Sequence, residues 1–219
     1  MSKATREFTP RVDVLPAAQR RLWPELRHTP PHFTLYGGTA LALRLAHRQS
    51  IDFDFFTNKP VSGAKLLEQV AYLQRAKVRQ LEPNTLTCSV QRRGSVRLSF
   101  FGALSLGQVD PAEAAQGPMI MVASLRDIAG TKLSVVTQRA EAKDYIDIHA
   151  LLTKARIPLA EMLACARAIF GPGFDPLHSL KALAYHDDPA LVGLKPGIKR
   201  DLLVAIRTVD ASRLPSINP

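Results

Sequence analysis

Cysteine is nearly absent from this chain. Cys88 and Cys165 stand far apart, neither in a CxxC pair nor beside two histidines, which argues against a disulfide framework or a thiolate zinc site and fits a reducing compartment. No run approaches the roughly 20 apolar residues of a membrane span, and the start, MSKATREFTP, lacks the apolar stretch of an export signal. A cytoplasmic protein with no membrane partner is expected. Internal repeats and low-complexity tracts are also missing, so a solenoid or a disordered linker is not indicated. Acidic residues are scarce beside basic ones, 19 against 29, and the resulting net charge of +10 favours a polyanionic partner. The basic residues are spread along the chain (Arg20, Arg21, Arg92, Arg93, Lys199, Arg200), so a merely solvated basic surface stays open as the alternative.

The length of 219 residues suffices for one large or two small domains with a real core. The rest of the chain is organised around YGGTALALRLAHRQSIDFDFF, Tyr36 to Phe56. A short apolar run ends at Tyr36, and LALRLA after Thr39 repeats its leucines at helical spacing, which predicts a strand feeding a helix N-terminus. Backbone N–H groups at such an end have no intrahelical partner and face the positive pole of the helix dipole, so an anionic phosphate can rest there. Gly37 and Gly38 permit close approach and positive φ, and the Thr39 hydroxyl can cap the helix or touch a phosphate. On its own, Gly-Gly-Thr is equally an ordinary turn and cap.

The next strand adds the chemistry. In residues 51–56, period-two alternation puts Ile51, Phe53 and Phe55 on one face and Asp52 and Asp54 on the other. Two adjacent carboxylates repel each other unless a cation bridges them, and Mg²⁺ (or Mn²⁺) takes one or two carboxylates together with substrate phosphates. A solvated strand face would not carry Phe53, Phe55 and Phe56.

This run resembles the first motif of the AbiEii/AbiGii type of toxin nucleotidyltransferase, a branch of the DNA polymerase β-like superfamily. Arg48, Ser50, Asp52 and Asp54 fill the places of its Arg-x-Ser and Asp-x-Asp. VRLSFFG near residue 97, SLRDIAGTKLSVVTQRAEAKDYIDIHALL from Ser124, and the tail around LAYHDDP resemble later parts of the same family. The resemblance implies an NTP substrate, transfer of NMP to an acceptor with tRNA in view, and a cognate antitoxin as partner in a toxin–antitoxin or phage-defence pair. It also implies that Arg48 and Ser50 support the carboxylate strand or the phosphates.

Elsewhere the pattern predicts a packing helix, interrupted at Pro24, over residues 11–27, with Trp23 in the core. A helix is expected over 63–76, and a hairpin of strands 85–91 and 95–101 turning at Arg92, Arg93 and Gly94. The polar face of the second hairpin strand carries Arg97 and Ser99, where many superfamily members place a third metal carboxylate. Residues 102–118 read as a loop, and Ser124 as the N-cap of a helix over 125–138, with Asp127 structural in its first turn. Cys88 reads as small core, and His186, Asp187 and Asp188 as a loop.

A second group, Lys132, Arg139, Lys143 and Asp147, falls at steps of seven, four and four, along one face if the helices are continuous. Such a stripe suits a triphosphate. A chain of i, i+4 surface pairs is the alternative on spacing alone. The family pattern matches Lys132, Arg139, Lys143, Asp144 and Asp147, and Asp144 or Asp147 then orients Lys143, contributes to the metal or takes the acceptor proton.

The fold expected is α/β (α+β): a polymerase β-like sheet module over residues 1–122, followed by a helical domain over 123–219 that closes over the nucleotide. Asp52, Asp54, Lys143 and Asp147 are the expected catalytic residues, and Asp52 and Asp54 the metal ligands. Gly37, Gly38, Thr39, Arg48, Ser50, Lys132, Arg139 and Asp144 are the expected nucleotide contacts. A catalytically inactive nucleotide- or RNA-binding module of the same fold is the rival, motivated by Ser99.

Overall fold

The computed structural model describes residues 6–217, which divide between two units. One comprises the chain up to Ser105 together with Ala112–Ala123. The other comprises Leu106–Pro111 and the chain from Ser124 onward.

The first unit holds a mixed sheet of eight strands: β1 (Glu7–Phe8), β2 (Thr34–Tyr36), β3 (Asp52–Phe56), β4 (Lys77–Glu82), β5 (Thr85–Gln91), β6 (Ser95–Phe101), β7 (Glu113–Ala115) and β8 (Met121–Val122). Their order is β1-β7-β8-β2-β3-β6-β5-β4. β3 lies between β2, which it pairs antiparallel, and β6, which it pairs parallel. The alternation written into β3, β5 and β6 delivers Phe53, Phe55, Leu86, Cys88, Val90, Val96, Leu98 and Phe100 to one face, where all are buried. Phe33 stands edge-on to Phe55 and Phe100, and Trp23 stacks on Phe53 at 6.4 Å. Each buried phenylalanine contributes about 1.5–3 kcal/mol. Helices α1 (Ala17–Leu22), α2 (Gly37–Leu45) and α3 (Gly63–Gln69) complete the unit.

Several local expectations need correction. Ile51 precedes β3 and is 67% exposed, so it shares no face with Phe53. The helix expected over 63–76 stops at Gln69, because Val70 takes an extended backbone and a 3₁₀ turn, Ala71–Leu73, follows. β7 lies inside the stretch read as a loop. β4 was not anticipated: every residue of this edge strand is exposed, so no apolar alternation marks it.

The second unit is helical: α4 (Leu125–Val135), α5 (Ala142–Thr153), α6 (Leu159–Phe170), α7 (Pro176–Ala184) and α8 (Pro196–Arg207). Ser124 caps the start of α4 together with Asp127. The Ser124 Oγ accepts from the Asp127 N–H at 3.0 Å, and the buried Asp127 carboxylate accepts from the Ser124 hydroxyl and from Val109 N–H and Asp110 N–H at 2.8 and 3.1 Å. Those last two bonds tie the strap Leu106–Pro111 to the helices, where Val109 packs on Cys165 and Ile169. At Gly130 a Cβ would stand 2.9 Å from the backbone of Cys165 and Ala166, so only glycine lets α4 and α6 come this close. Among the described residues no helix is long and apolar enough to cross a membrane.

Candidate active site

The first unit brings the turn and the carboxylates together. Asp52 and Asp54 project from the same face of β3, opposite the buried Phe53 and Phe55. The chain leaves β2 at Tyr36 and enters α2 at Gly37, whose φ of +74° is the left-handed conformation that the turn requires. A Cβ on Gly37 would lie 3.0 Å from the Asp54 Oδ2, so the glycine backbone rests directly against this carboxylate. Gly38 serves the neighbouring residues: a Cβ there would be 2.6 Å from Arg48 Nη2 and 2.8 Å from Ser50 Oγ. The structure thus gathers Gly37, Gly38, Arg48, Ser50 and Asp54 around the start of α2.

Thr39 is placed differently from the expectation. It does not cap α2, which starts from Tyr36 without a side-chain cap. Its side chain is buried and its hydroxyl donates to the Asp52 carbonyl, so it ties α2 to β3.

The strand beside β3 supplies residues whose role the sequence left undeveloped. Pairing with β6 sets Arg97 opposite Asp52 and Ser99 opposite Asp54. Arg97 Nη2 donates to Asp52 Oδ2 at 2.5 Å, and that hydrogen bond, together with the charges of Asp52 and Asp54, holds the guanidinium above the ordinary arginine value. Past Asp54 the same face turns aromatic. Tyr36 stacks on Phe56 at 5.0 Å, and Phe101 meets Phe56 edge-on at 5.4 Å. The period-two pattern of β3 and β6, followed one step beyond Asp54 and Ser99, marks Phe56 and Phe101.

Among the described residues there is no group of three His, Cys, Asp or Glu side chains able to hold a metal. Two carboxylates on one face fit a single hard divalent cation, which Asp52 and Asp54 would hold and which would take its other ligands from water and phosphate oxygens.

In the second unit the expected basic stripe is broken. α4 ends at Val135 and α5 starts at Ala142, so Lys132, Arg139, Lys143 and Asp147 do not lie along one helical face. Lys132 is buried, its Nζ 2.7 Å from Asp144 Oδ1 and 2.6 Å from Asp147 Oδ2, and both carboxylates are fully buried. Arg139 Nε reaches Asp144 Oδ2 at 3.1 Å from a half-exposed side chain. Lys143 is half-exposed, and its ion pair is with Glu141 at 2.6 Å. His186 to Asp188 is a loop, with the Asp188 side chain capping the turn Pro189–Leu191.

A model of the family described as nucleotidyl transferase AbiEii toxin, type IV toxin–antitoxin system, matches residues 25–191. An uncharacterized protein of Aquifex aeolicus is 30% identical over 158 residues, which cover 71% of this chain and 74% of that one. Among solved structures, a candidate nucleotidyltransferase from H. pylori aligns with a TM-score of 0.54 at 18% identity, over 87% of this chain and 90% of its own, a likeness of fold. MenT4, a nucleotidyltransferase toxin of Mycobacterium tuberculosis, aligns with a TM-score of 0.47 at 17% identity, over 92% of this chain and 84% of its own.

Proposed function

The chain belongs to the AbiEii nucleotidyl transferase toxin family, and from that premise we propose that it transfers NMP from an NTP to an RNA acceptor, tRNA first among them, with Asp52 and Asp54 as ligands of a divalent cation. The observation that carries this reading is the seating of the Gly37 backbone against Asp54, which puts a helix N-terminus and a carboxylate pair at one place. A bound Mg²⁺ or Mn²⁺ supplies charge neutralisation and orientation to the phosphates. The chain's own residues do the rest. N–H groups of the first turn of α2 face the phosphates, and Arg48 and Ser50, packed against Gly38, hold the β3 approach in place. Tyr36, Phe56 and Phe101 offer a stacking surface to a base, a contact worth about 1–3 kcal/mol per base.

In the helical unit, Lys132 is the buried partner of Asp144 and Asp147 and keeps α4 joined to α5. Arg139, bonded to Asp144, and Lys143, paired with Glu141, carry half-exposed cationic heads, and they are the residues of this unit for contact with a polyanion. The net charge of +10 supports RNA as acceptor. A cognate antitoxin is the protein partner the family brings with it.

The test is incubation with each labelled NTP, Mg²⁺ or Mn²⁺ and total RNA. RNA labelling is expected, dependent on the cation and lost in Asp54→Asn, whose circular dichroism should be unchanged. Labelling of a protein or a small molecule in place of RNA would overturn the acceptor, and labelling that survives chelation would overturn the cation.

A further inference from the structure

Resting on Asp52 and Asp54 as the cation ligands, we propose that Arg97 stands where a second cation would otherwise act, so that this enzyme works with one divalent ion per nucleotide. The backbone carries the point. Parallel pairing of β3 with β6 fixes Arg97 beside Asp52 and Ser99 beside Asp54, neighbours at the roughly 4.8 Å strand spacing and on the same face. A two-cation site for phosphoryl transfer clamps both the attacking and the leaving oxygen, and it needs bridging anionic ligands to hold two ions close together. Here the strand that would complete such a ligand set offers a guanidinium and a hydroxyl. Among the described residues no third carboxylate, His or Cys joins Asp52 and Asp54 from elsewhere.

Charge gives the same answer. Asp52 and Asp54 are already matched by two guanidiniums, Arg97 on Asp52 and Arg48 against Gly38, so one divalent ion is enough to make the site positive and attract a polyphosphate. A second ion would meet the Arg97 guanidinium, 2.5 Å from the Asp52 oxygen it needs as ligand. Arg97 is also able to take over the work of that ion. Its side chain is 56% exposed, so the head is free to turn from Asp52 to a phosphate, where its planar fork grips two oxygens. Lysine would bring the charge without the fork.

The experiment counts ions. The full chain is dialysed to equilibrium against Mn²⁺ with a non-hydrolysable NTP analogue on both sides, and bound Mn²⁺ is measured by electron paramagnetic resonance. One ion per wild-type complex is expected, and two in the double variant Arg97→Ala with Ser99→Asp, which restores a carboxylate opposite Asp54 and removes the guanidinium. Without nucleotide, Arg97→Ala alone should bind Mn²⁺ about tenfold more tightly, the effect of removing one positive charge a few ångströms from the ion. Two ions in the wild type, or one in a double variant that melts like the wild type, would overturn the inference and leave the carboxylate site intact. No bound Mn²⁺ in the wild type would instead remove Asp52 and Asp54 as cation ligands, and the inference with them.

Discussion

Lys132 reaches Asp144 across the break between α4 and α5, Nζ to Oδ1 at 2.7 Å, with both side chains buried. Removing the ammonium takes a buried cation away from two buried carboxylates, Asp144 and Asp147. Lys132→Met is therefore expected to cost about 3–5 kcal/mol, seen as an earlier urea midpoint with an unchanged slope. A variant as stable as the wild type would show that the cluster is not what joins the two helices.

Gly38 predicts a different kind of failure. A methyl group there meets Arg48 Nη2 and Ser50 Oγ, and the short serine has little room to yield. Gly38→Ala should lose about 1–3 kcal/mol of stability by overpacking and weaken NTP binding in calorimetric titration. Adding Ser50→Gly should return part of both, and a double variant no better than the single one would place the cost elsewhere.

The two thiols should be inert. Burial pushes Cys88 and Cys165 up to about 11, so near pH 8 roughly one thiol in a thousand is thiolate, and neither is reachable. Thiol titration with a chromogenic disulfide should give no signal in native buffer and two thiols in denaturant. Raising the pH toward 11 increases the thiolate fraction, so any slow native reaction should quicken in that direction.

RNA binding should carry the signature of phosphate contacts. With four contacts, affinity for single-stranded RNA should fall about fifty-fold across a fourfold rise in salt. A basic surface alone gives some slope, so the deciding comparison is labelling of different RNAs at one salt concentration. A true acceptor should exceed a composition-matched RNA, because phosphates position without specifying. Equal labelling of all RNAs would refute a specific acceptor.

The sequence revealed most where one residue pattern had one structural outcome. Alternation in β3, β5 and β6 fixed which face was buried, Arg93 and Gly94 turned the hairpin at positive φ, and Ser124 with Asp127 spelled a cap. Reading became unreliable where an element is defined by its neighbours. β4 has no buried residue, and β1, β7 and β8 are two or three residues long, so only their partners make them strands. The stripe from Lys132 to Asp147 failed for a related reason. Spacing by sevens and fours describes a face only while the helix continues, and residues 136–141 interrupt it. Arg97 was visible on its strand, but its pairing with Asp52 depends on the parallel register of β3 and β6, which links positions 45 residues apart.

The strap Leu106–Pro111 bears on how such a protein can be taken apart. Its bonds to Asp127 and its packing on Cys165 and Ile169 assign it to the helices, although Ala112–Ala123, which follows it, returns to the sheet. The polypeptide therefore passes from one unit to the other three times, and no single cut separates them. A gene fusion or recombination joint placed at residue 123 would carry the strap away from the helices it is bonded to. The two halves are not exchangeable cassettes, and no single division of the chain leaves both interiors whole.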